Sequence, residues 1–444
     1  MENLEFYRDF LAFEKEQSLF DLQDNQGTYI WDIIRFDIYI NLMWNFEAKA
    51  PKKRAYLDTA KLFKKKLLSL LRYATDTRIT ENFFFLTSRN NRNGKLFDQN
   101  AIAVVESFDP SSSFILESYL APEHDPLIAG SVYSFPQELF RRTYRGKSVF
   151  NYNLIIDQLT SRFGSSRFDE ARLAGMVNNY YADLRFFTRL FNRHQVKRVF
   201  VTQNGIQKGI FAAAKALNIP TFEFQHGIVD GGHIAYNYPH VEFKKQQLQL
   251  PDVIFSLSPF WYKDLHMPGV SVRPLGNDYF SKPIASISES TKALTIVSAD
   301  VFGLALTDFL LAALKNGSLE GRTVYFKLHP NQFVEKDYFL KVFKDYPQVQ
   351  VISNEYAISD LLDRSEVILT IQSTAVYEAL QAGRKVILLM ESSYERHNDI
   401  FSNGNVYLLK HAEQLREALS QAIDPEQKVE FFSKFNTRVL QEFI

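Results

Sequence analysis

The chain has 444 residues, 46% hydrophobic and 23% charged, the balance of a globular protein with room for two or three cores. Its 51 basic and 51 acidic residues cancel, which argues against a general nucleic-acid binder. It has no cysteine, which removes disulfides, thiolate zinc sites and cysteine nucleophiles and fits a reducing compartment.

Residues 1 to about 78 read as helical, with no clear strand. The opening MENLEFYRDFLAFEKEQ carries acids where a secretory leader has a basic start and an apolar block. No run reaches the ~18 apolar residues of a membrane span, so a soluble, cytoplasmic protein is expected. Within 57–73, LDTAKLFKKKLLSLLRY, the apolar Leu62, Phe63, Leu67, Leu70 and Leu71 recur at helical spacing among Lys61, Lys64, Lys65, Lys66 and Arg72. Such a basic amphipathic helix either lies on an anionic membrane or packs on the protein with its basic face in solvent.

From 82 the pattern turns to short, ring-rich runs. NFFFLTS (82–88), AIAVVE (101–106) and SSFILES (112–118) read as strands, and 137–193 as mainly helical. Regular alternation follows: strand 197–202, helix 207–218, and strands 219–225 and 252–258, with VSVRPLGN (270–277) nearing a boundary. The polar, Ser-rich 278–292 reads as a linker. A second series has strands at 293–298, 322–329, 349–353, 366–371, 385–390 and 406–410, with helices near 304–315, 333–345, 357–363 and 374–382.

Alternation at this pace predicts βαβ units and parallel sheets. The expected organisation is a helical N-terminal addition (1–80), a Rossmann-like domain (81–285), a second Rossmann-like domain (290–425) and a C-terminal helix (426–444). The fold class is α/β, two tandem domains facing a cleft. Open parallel sheets bind ligands outside the carboxyl ends of their strands, and the informative motifs fall there.

In YFKLHPNQ (325–332) a strand ends at His329, Pro330 stops it and Asn331 is placed to cap the next helix. His329 either donates to a phosphate oxygen or satisfies a local carbonyl; Lys327 lies two residues earlier on the same strand face. In EVILTIQSTAVYEALQAG (366–383), Ser373 and Thr374 open a helix, where backbone N–H groups can hold phosphate or simply be capped. Glu378, one turn on, is placed to accept the hydroxyls of a ribose or to sit in solvent.

FEFQHGIVDGGHIAYNYPH (222–240) spaces His226, His233 and His240 by seven. That spacing matches no compact zinc pattern, and Gly231, Gly232 and Pro239 oppose a helix that would align the rings, so no metal site is expected. Gln225, His226 and Gly227 occupy the turn after a strand, with Gly227 free to take positive φ. Glu223, on that strand, is either a general base or a paired structural acid; Asp98 and Glu106 are weaker candidates for the base.

In their order, QHG after a strand, KLHP at a strand end and QST…EALQAG opening a helix resemble bacterial surface-polysaccharide glycosyltransferases of the GT-B type. Similar patterns occur in Kdo, sialyl and polysialyl transferases of capsule synthesis and in teichoic-acid glycerophosphotransferases. PLGND (274–278) resembles the glycine turn before their second domain, and WDIIRFDIY (31–39) the Trp…Arg segment near the start of many capsule proteins. The likeness covers 197–390, and no acidic-acidic-Gly motif of the sialyltransferase kind is present to name the base.

The resemblance implies sugar transfer from a nucleotide-activated donor to a growing, lipid-linked capsule or O-antigen glycan, without metal or cofactor. Donor binding falls to His329, Ser373, Thr374, Glu378 and Lys327, with Gln225 and Gly227 across the cleft; Glu223, His226 and His329 are the candidates for chemistry. Alternatives are a polyol-phosphate transferase on the same scaffold, a nucleotide-sugar epimerase and a non-catalytic assembly partner.

Overall fold

The computed structural model describes residues 3–43, 59–88, 90–92, 94–118, 125–128, 130–146, 148–164, 168–202, 205–241, 248–263, 265–281, 292–299, 302–391 and 394–444. They form two compact units. The first comprises Glu5–Leu257, Tyr262–Tyr279 and Phe435–Ile444; the second is built on Phe280–Lys434 with Ser258–Trp261. Most of the expected linker 278–292 lies outside the described residues.

The first unit carries β1 (Asn82–Leu86), β2 (Asn90–Arg92), β3 (Lys95–Phe97), β4 (Ser113–Glu117), β5 (Asp125–Pro126), β6 (Val132–Tyr133), β7 (Arg198–Thr202), β8 (Thr221–Phe224), β9 (Val253–Ser256) and β10 (Ser271–Pro274). Seven of them make one parallel sheet in the order β10-β9-β8-β7-β1-β4-β6, and β2, β3 and β5 a separate small one. Successive side chains leave a strand on opposite faces. Phe83 and Phe85 therefore pack against Phe186, Phe187 and Phe191 of the helix Glu170–His194, while Phe84 and Leu86 meet Phe200 and Phe222 on the other face. Both faces are covered, which is why this strand reads as an unbroken apolar run.

The N-terminal helices Asn3–Glu16 and Ile30–Met43 do not stand apart as an addition. Phe10, Trp31, Ile34 and Tyr39 share a buried core with Val177 and Tyr180 of the helix Glu170–His194. That helix starts where the Asp169 side chain accepts from Arg172 N at 2.7 Å and stops at Gln195, which turns left-handed at φ 52°.

Three expected elements differ. AIAVVE is not a strand: Ala101 and Ile102 both donate to the carbonyl of Asp98, and the turn runs on into the short helix Ile102–Val105. The C-terminal 426–444 is helical only over Thr437–Gln441. The helix Thr59–Thr75 is present, but Lys65 is buried, ion-paired to Asp125 at 3.0 Å, and does not belong to a solvated basic face. Residues 57 and 58 of that segment lie outside the described residues.

The second unit holds β11 (Ala293–Val297), β12 (Thr323–Lys327), β13 (Val349–Ile352), β14 (Val367–Thr370), β15 (Lys385–Leu389) and β16 (Val406–Leu409), all parallel. Their order, β13-β12-β11-β14-β15-β16, is the doubly wound 3-2-1-4-5-6 of a dinucleotide-binding sheet. The chain is thus α/β, with two Rossmann-like parallel sheets in tandem. Among the described residues no helix is long and apolar enough to cross a membrane.

Candidate functional site

In the second unit the strand order reverses between β11 and β14, and that is where such a sheet opens a ligand crevice. Thr370 Oγ1 donates to the carbonyl of Val297 at 2.8 Å and joins the two strand ends. After β11, Ser298 is buried with no hydrogen-bond partner for Oγ among the described residues. Gly303 then opens the helix Gly303–Lys315. A β-carbon at Gly303 would lie 2.1 Å from Nε2 of Gln332, so a side chain there would displace the end of Gln332.

Gln332 in turn fixes His329, accepting from His329 N at 3.0 Å. The cap here is His329 rather than Asn331: its Nδ1 accepts from Asn331 N at 3.2 Å at the start of the 3-10 turn Pro330–Glu335. An accepting Nδ1 leaves the proton of the neutral, half-exposed ring on Nε2. Lys327 is turned aside. Its ammonium donates to the carbonyl of Ser353, and burial lowers its pKa.

After β14, Ser373 Oγ accepts from Ala375 N at 3.2 Å, which starts the helix Ala375–Gln381; Thr374 is the N-cap residue without a side-chain cap bond. Ser373 N donates to Nε2 of His397 at 3.4 Å, and Nδ1 of the same ring faces Tyr377 Oη at 3.4 Å. His397 has no exposure, and burial pushes it down to about 3, so a neutral imidazole supports the Ser373 turn. Glu378 is partly accessible, yet protein packed around its carboxyl pushes it up to about 7, with no cation among the causes. Gly383 ends the helix at φ 70°.

The first unit treats the expected residues differently. Glu223 is fully buried on β8, and its carboxylate accepts from Tyr236 Oη. Gln225 is 1% exposed and spent on the turn, its Nε2 donating to Gly227 O at 2.9 Å and its Oε1 accepting from Leu257 N at 3.0 Å. Gly227 does not take positive φ, and a β-carbon there would meet nothing within 4 Å. His226 is half-buried, and His233 stacks on Phe36. Among the described residues no group of three His, Cys, Asp or Glu is set to hold a metal.

The first unit's acids gather elsewhere. Asp98 accepts from Thr87 N and Asn100 N, both at 2.9 Å, and burial raises its pKa. Burial, with Asp98 beside it, pushes the Glu117 carboxyl up to about 7. Glu117 ends β4 and Thr87 follows β1, so this pair occupies the carboxyl end of the sheet. Glu106 is exposed and reaches Arg92 at 3.5 Å. Glu117, His397 and Ser298 escape a motif reading, since each is a single ordinary residue whose partners are remote in sequence.

Residues 304–423 match the family model described as "Capsule polysaccharide biosynthesis protein". Among curated proteins none matches the chain. Among solved structures it is similar to UDP-GlcNAc 2-epimerase of Methanocaldococcus jannaschii, in complex with UDP-GlcNAc and UDP, at 13% identity and TM-score 0.49 over 81% of this chain and 99% of that one. The Neisseria meningitidis UDP-GlcNAc 2-epimerase has 14% identity and TM-score 0.48 over 81% and 98%. MurG of Acinetobacter baumannii has 13% identity and TM-score 0.47 over 82% and 99%.

Proposed function

We propose that the chain is a glycosyltransferase of the GT-B type that moves a sugar from a nucleotide donor to a growing surface polysaccharide. One observation carries this reading: the span matching the capsule-biosynthesis model, 304–423, contains His329, Ser373 and Thr374, just beyond the carboxyl ends of β12 and β14, and Glu378 on the helix that follows. A leaving nucleoside phosphate needs hydrogen-bond donors aimed where charge develops. His329 supplies Nε2–H, and the turn supplies the Thr374 N–H and the hydroxyls of Ser373 and Thr374; His397, which takes the Ser373 N–H, positions that turn. Glu378 accepts the ribose hydroxyls once ionised.

The base is placed on the Asp98–Glu117 pair rather than on Glu223 because the pair, although as buried, stands at the carboxyl end of β1 and β4 with Thr87 and Ser118 beside it. A Glu117 carboxyl pushed up to about 7 also suits proton transfer at neutral pH. Glu223 is instead a positioning residue for the turn that bears His226. The acceptor is a lipid-linked glycan, met at the cytoplasmic membrane face through the helix Thr59–Thr75.

The test is a thermal-shift series with UDP, GDP, CMP and CDP, then product analysis with the matching nucleotide sugar. One nucleotide raises the melting temperature by mass action, and that rise is lost in His329→Asn. No shift with any of the four overturns the donor site. A phosphate-bearing product in place of free nucleotide would make the enzyme a polyol-phosphate transferase, and an isomerised donor without acceptor an epimerase.

A further inference from the structure

We propose that Tyr377 is a positioning residue of the donor-phosphate turn: its hydroxyl holds the proton of His397 on Nδ1 and so keeps Nε2 open to the Ser373 N–H. This rests on the donor-site reading above.

His397 lies in the turn Tyr394–Ile400 that follows β15, and its ring has no exposure. Burial pushes it down to about 3, so at neutral pH the ring has one proton for two nitrogens. Ser373 N, 3.4 Å from Nε2, is a backbone donor and has no other role to offer, so Nε2 must be bare. The proton then sits on Nδ1, which faces Tyr377 Oη at 3.4 Å. Which nitrogen of a histidine carries the proton is set by the hydrogen bond that the other one makes. A ring protonated on Nε2 would set N–H against N–H and open the turn.

The Tyr377 hydroxyl is held where Nδ1 needs it. Its ring is fully buried, with centroids 4.8 Å from Trp261 and 5.1 Å from Phe431. Trp261 Nε1 donates to Phe431 O at 2.8 Å, and Gln381, one turn beyond Tyr377, accepts from Phe431 N at 2.8 Å and Phe432 N at 2.7 Å. Trp261 itself belongs to Ser258–Trp261, a short piece that the chain sets into the second unit soon after β9. Packed in this way, the ring cannot swing its oxygen away from His397.

Ser373 is thereby gripped at two points, its N by His397 and its Oγ by Ala375 N at 3.2 Å. Those two bonds fix the direction of the Thr374 N–H that follows. Tyr377 reaches the donor only through this chain of contacts.

The experiment reads the tautomer by two-bond proton–nitrogen correlation NMR on the full chain labelled with nitrogen-15 histidine at neutral pH. The His397 ring is identified by its loss in His397→Gln. Wild type shows a protonated Nδ1 and a bare Nε2. Tyr377→Phe keeps the ring and removes the oxygen. Its His397 signal moves towards Nε2–H, and affinity for whichever of UDP, GDP, CMP and CDP stabilises wild type falls about three- to tenfold. In His397→Gln, Oε1 takes the Ser373 N–H with no tautomer to set. There the same Tyr377→Phe change alters affinity by less than about twofold, whereas a loss through packing alone would be equal in both backgrounds.

A wild-type ring protonated on Nε2, an unchanged tautomer or unchanged affinity in Tyr377→Phe, or an equal loss in both backgrounds overturns the proposal. The tautomer is read without nucleotide, so the two readings fail separately. Absence of any nucleotide-induced melting shift in wild type sinks the donor site, while the wild-type Nδ1–H signal and its loss in Tyr377→Phe still decide whether Tyr377 sets His397.

Discussion

The guanidinium of Arg35 donates from Nη1 to the carbonyl oxygen of Ile234 at 2.6 Å, across 199 positions of sequence. Nη2 donates to Asn237 O at 2.9 Å, Glu14 chelates the other edge, and the Tyr238 ring lies 4.4 Å from the guanidinium carbon. Trp31 Nε1 donates to the same Glu14 at 2.7 Å. The WDIIRFDIY segment is thus a buried clamp on the loop that follows β8 and carries His226.

Arg35→Met leaves Glu14 as a buried charge without its cation and is expected to cost about 3–5 kcal/mol in urea unfolding. Arg35→Lys keeps the charge but cannot reach Glu14 and two carbonyls at once, so it recovers only part of that loss. Wild-type stability in both variants would mean that the clamp contributes nothing.

His329→Ala removes a cap and the Nε2–H donor together, at a stability cost of about 1 kcal/mol. His329→Asn retains an oxygen for Asn331 N and withdraws the Nε2–H. It should melt within about 0.5 kcal/mol of wild type yet lose about 100-fold or more in transfer. Full transfer by His329→Asn would leave the histidine a purely local cap.

Glu378, up at about 7 when folded against an ordinary value of 4.5, keeps its proton longer in the native state. Its stabilising contribution is complete below 4.5 and is lost as pH rises towards 7. Glu117 acts in the same window with the same sign. His397, down at about 3, has the opposite sign: its contribution is present above 6.5 and lost as pH falls towards 3. The net expectation is a melting temperature that falls between pH 4.5 and 7 and is flattened in Glu378→Gln.

Nucleotide affinity should run the other way, since ribose hydroxyls donate to the ionised carboxylate. Below pH 7 affinity is expected to weaken by up to about tenfold per unit, and Glu378→Gln to abolish that dependence. An identical pH profile in wild type and Glu378→Gln would remove the ribose role.

On the helix Thr59–Thr75, Phe63 is 68% exposed, and Leu67, Leu68 and Leu71 are 46%, 44% and 51% exposed. Phe63, Leu67 and Leu71 make one outward stripe at spacing of four, next to the exposed Lys64. Binding to anionic vesicles is expected to be salt-sensitive, with each basic residue near the surface worth about 1 kcal/mol. The double change Leu67→Ser and Leu71→Ser should abolish co-sedimentation, and Lys64→Glu weaken it. Lys65 is the wrong residue to test, being inside and paired with Asp125. Equal co-sedimentation of wild type and the double variant would exclude the membrane role.

The two parallel sheets were legible because βαβ units announce themselves as apolar runs alternating with helical periods, and every strand expected from 293 onward has its counterpart. The short helix at 102–105 was not, because four apolar residues have no period and the choice is made by the Asp98 carbonyl. His329 and Ser373 could be placed just past strand ends because those ends are marked by Pro330 and by a cap. For Glu223, alternation told which strand face it occupies but not that Tyr236 donates to its carboxylate. His397 and Glu117 gain their character from burial and from partners remote in the chain, which no local pattern records.

Residues 435–444 belong to the first unit, where Leu440 is buried and Phe443 packs on Phe222 and Phe255. During synthesis, all of 280–434 must be made before that segment exists. At about 5–20 residues per second the ribosome therefore holds the first unit without its closing piece for roughly ten to thirty seconds. Through that interval the ring-lined face at Phe222 and Phe255 is uncovered, so the nascent chain presents a site for chaperones that the finished protein hides.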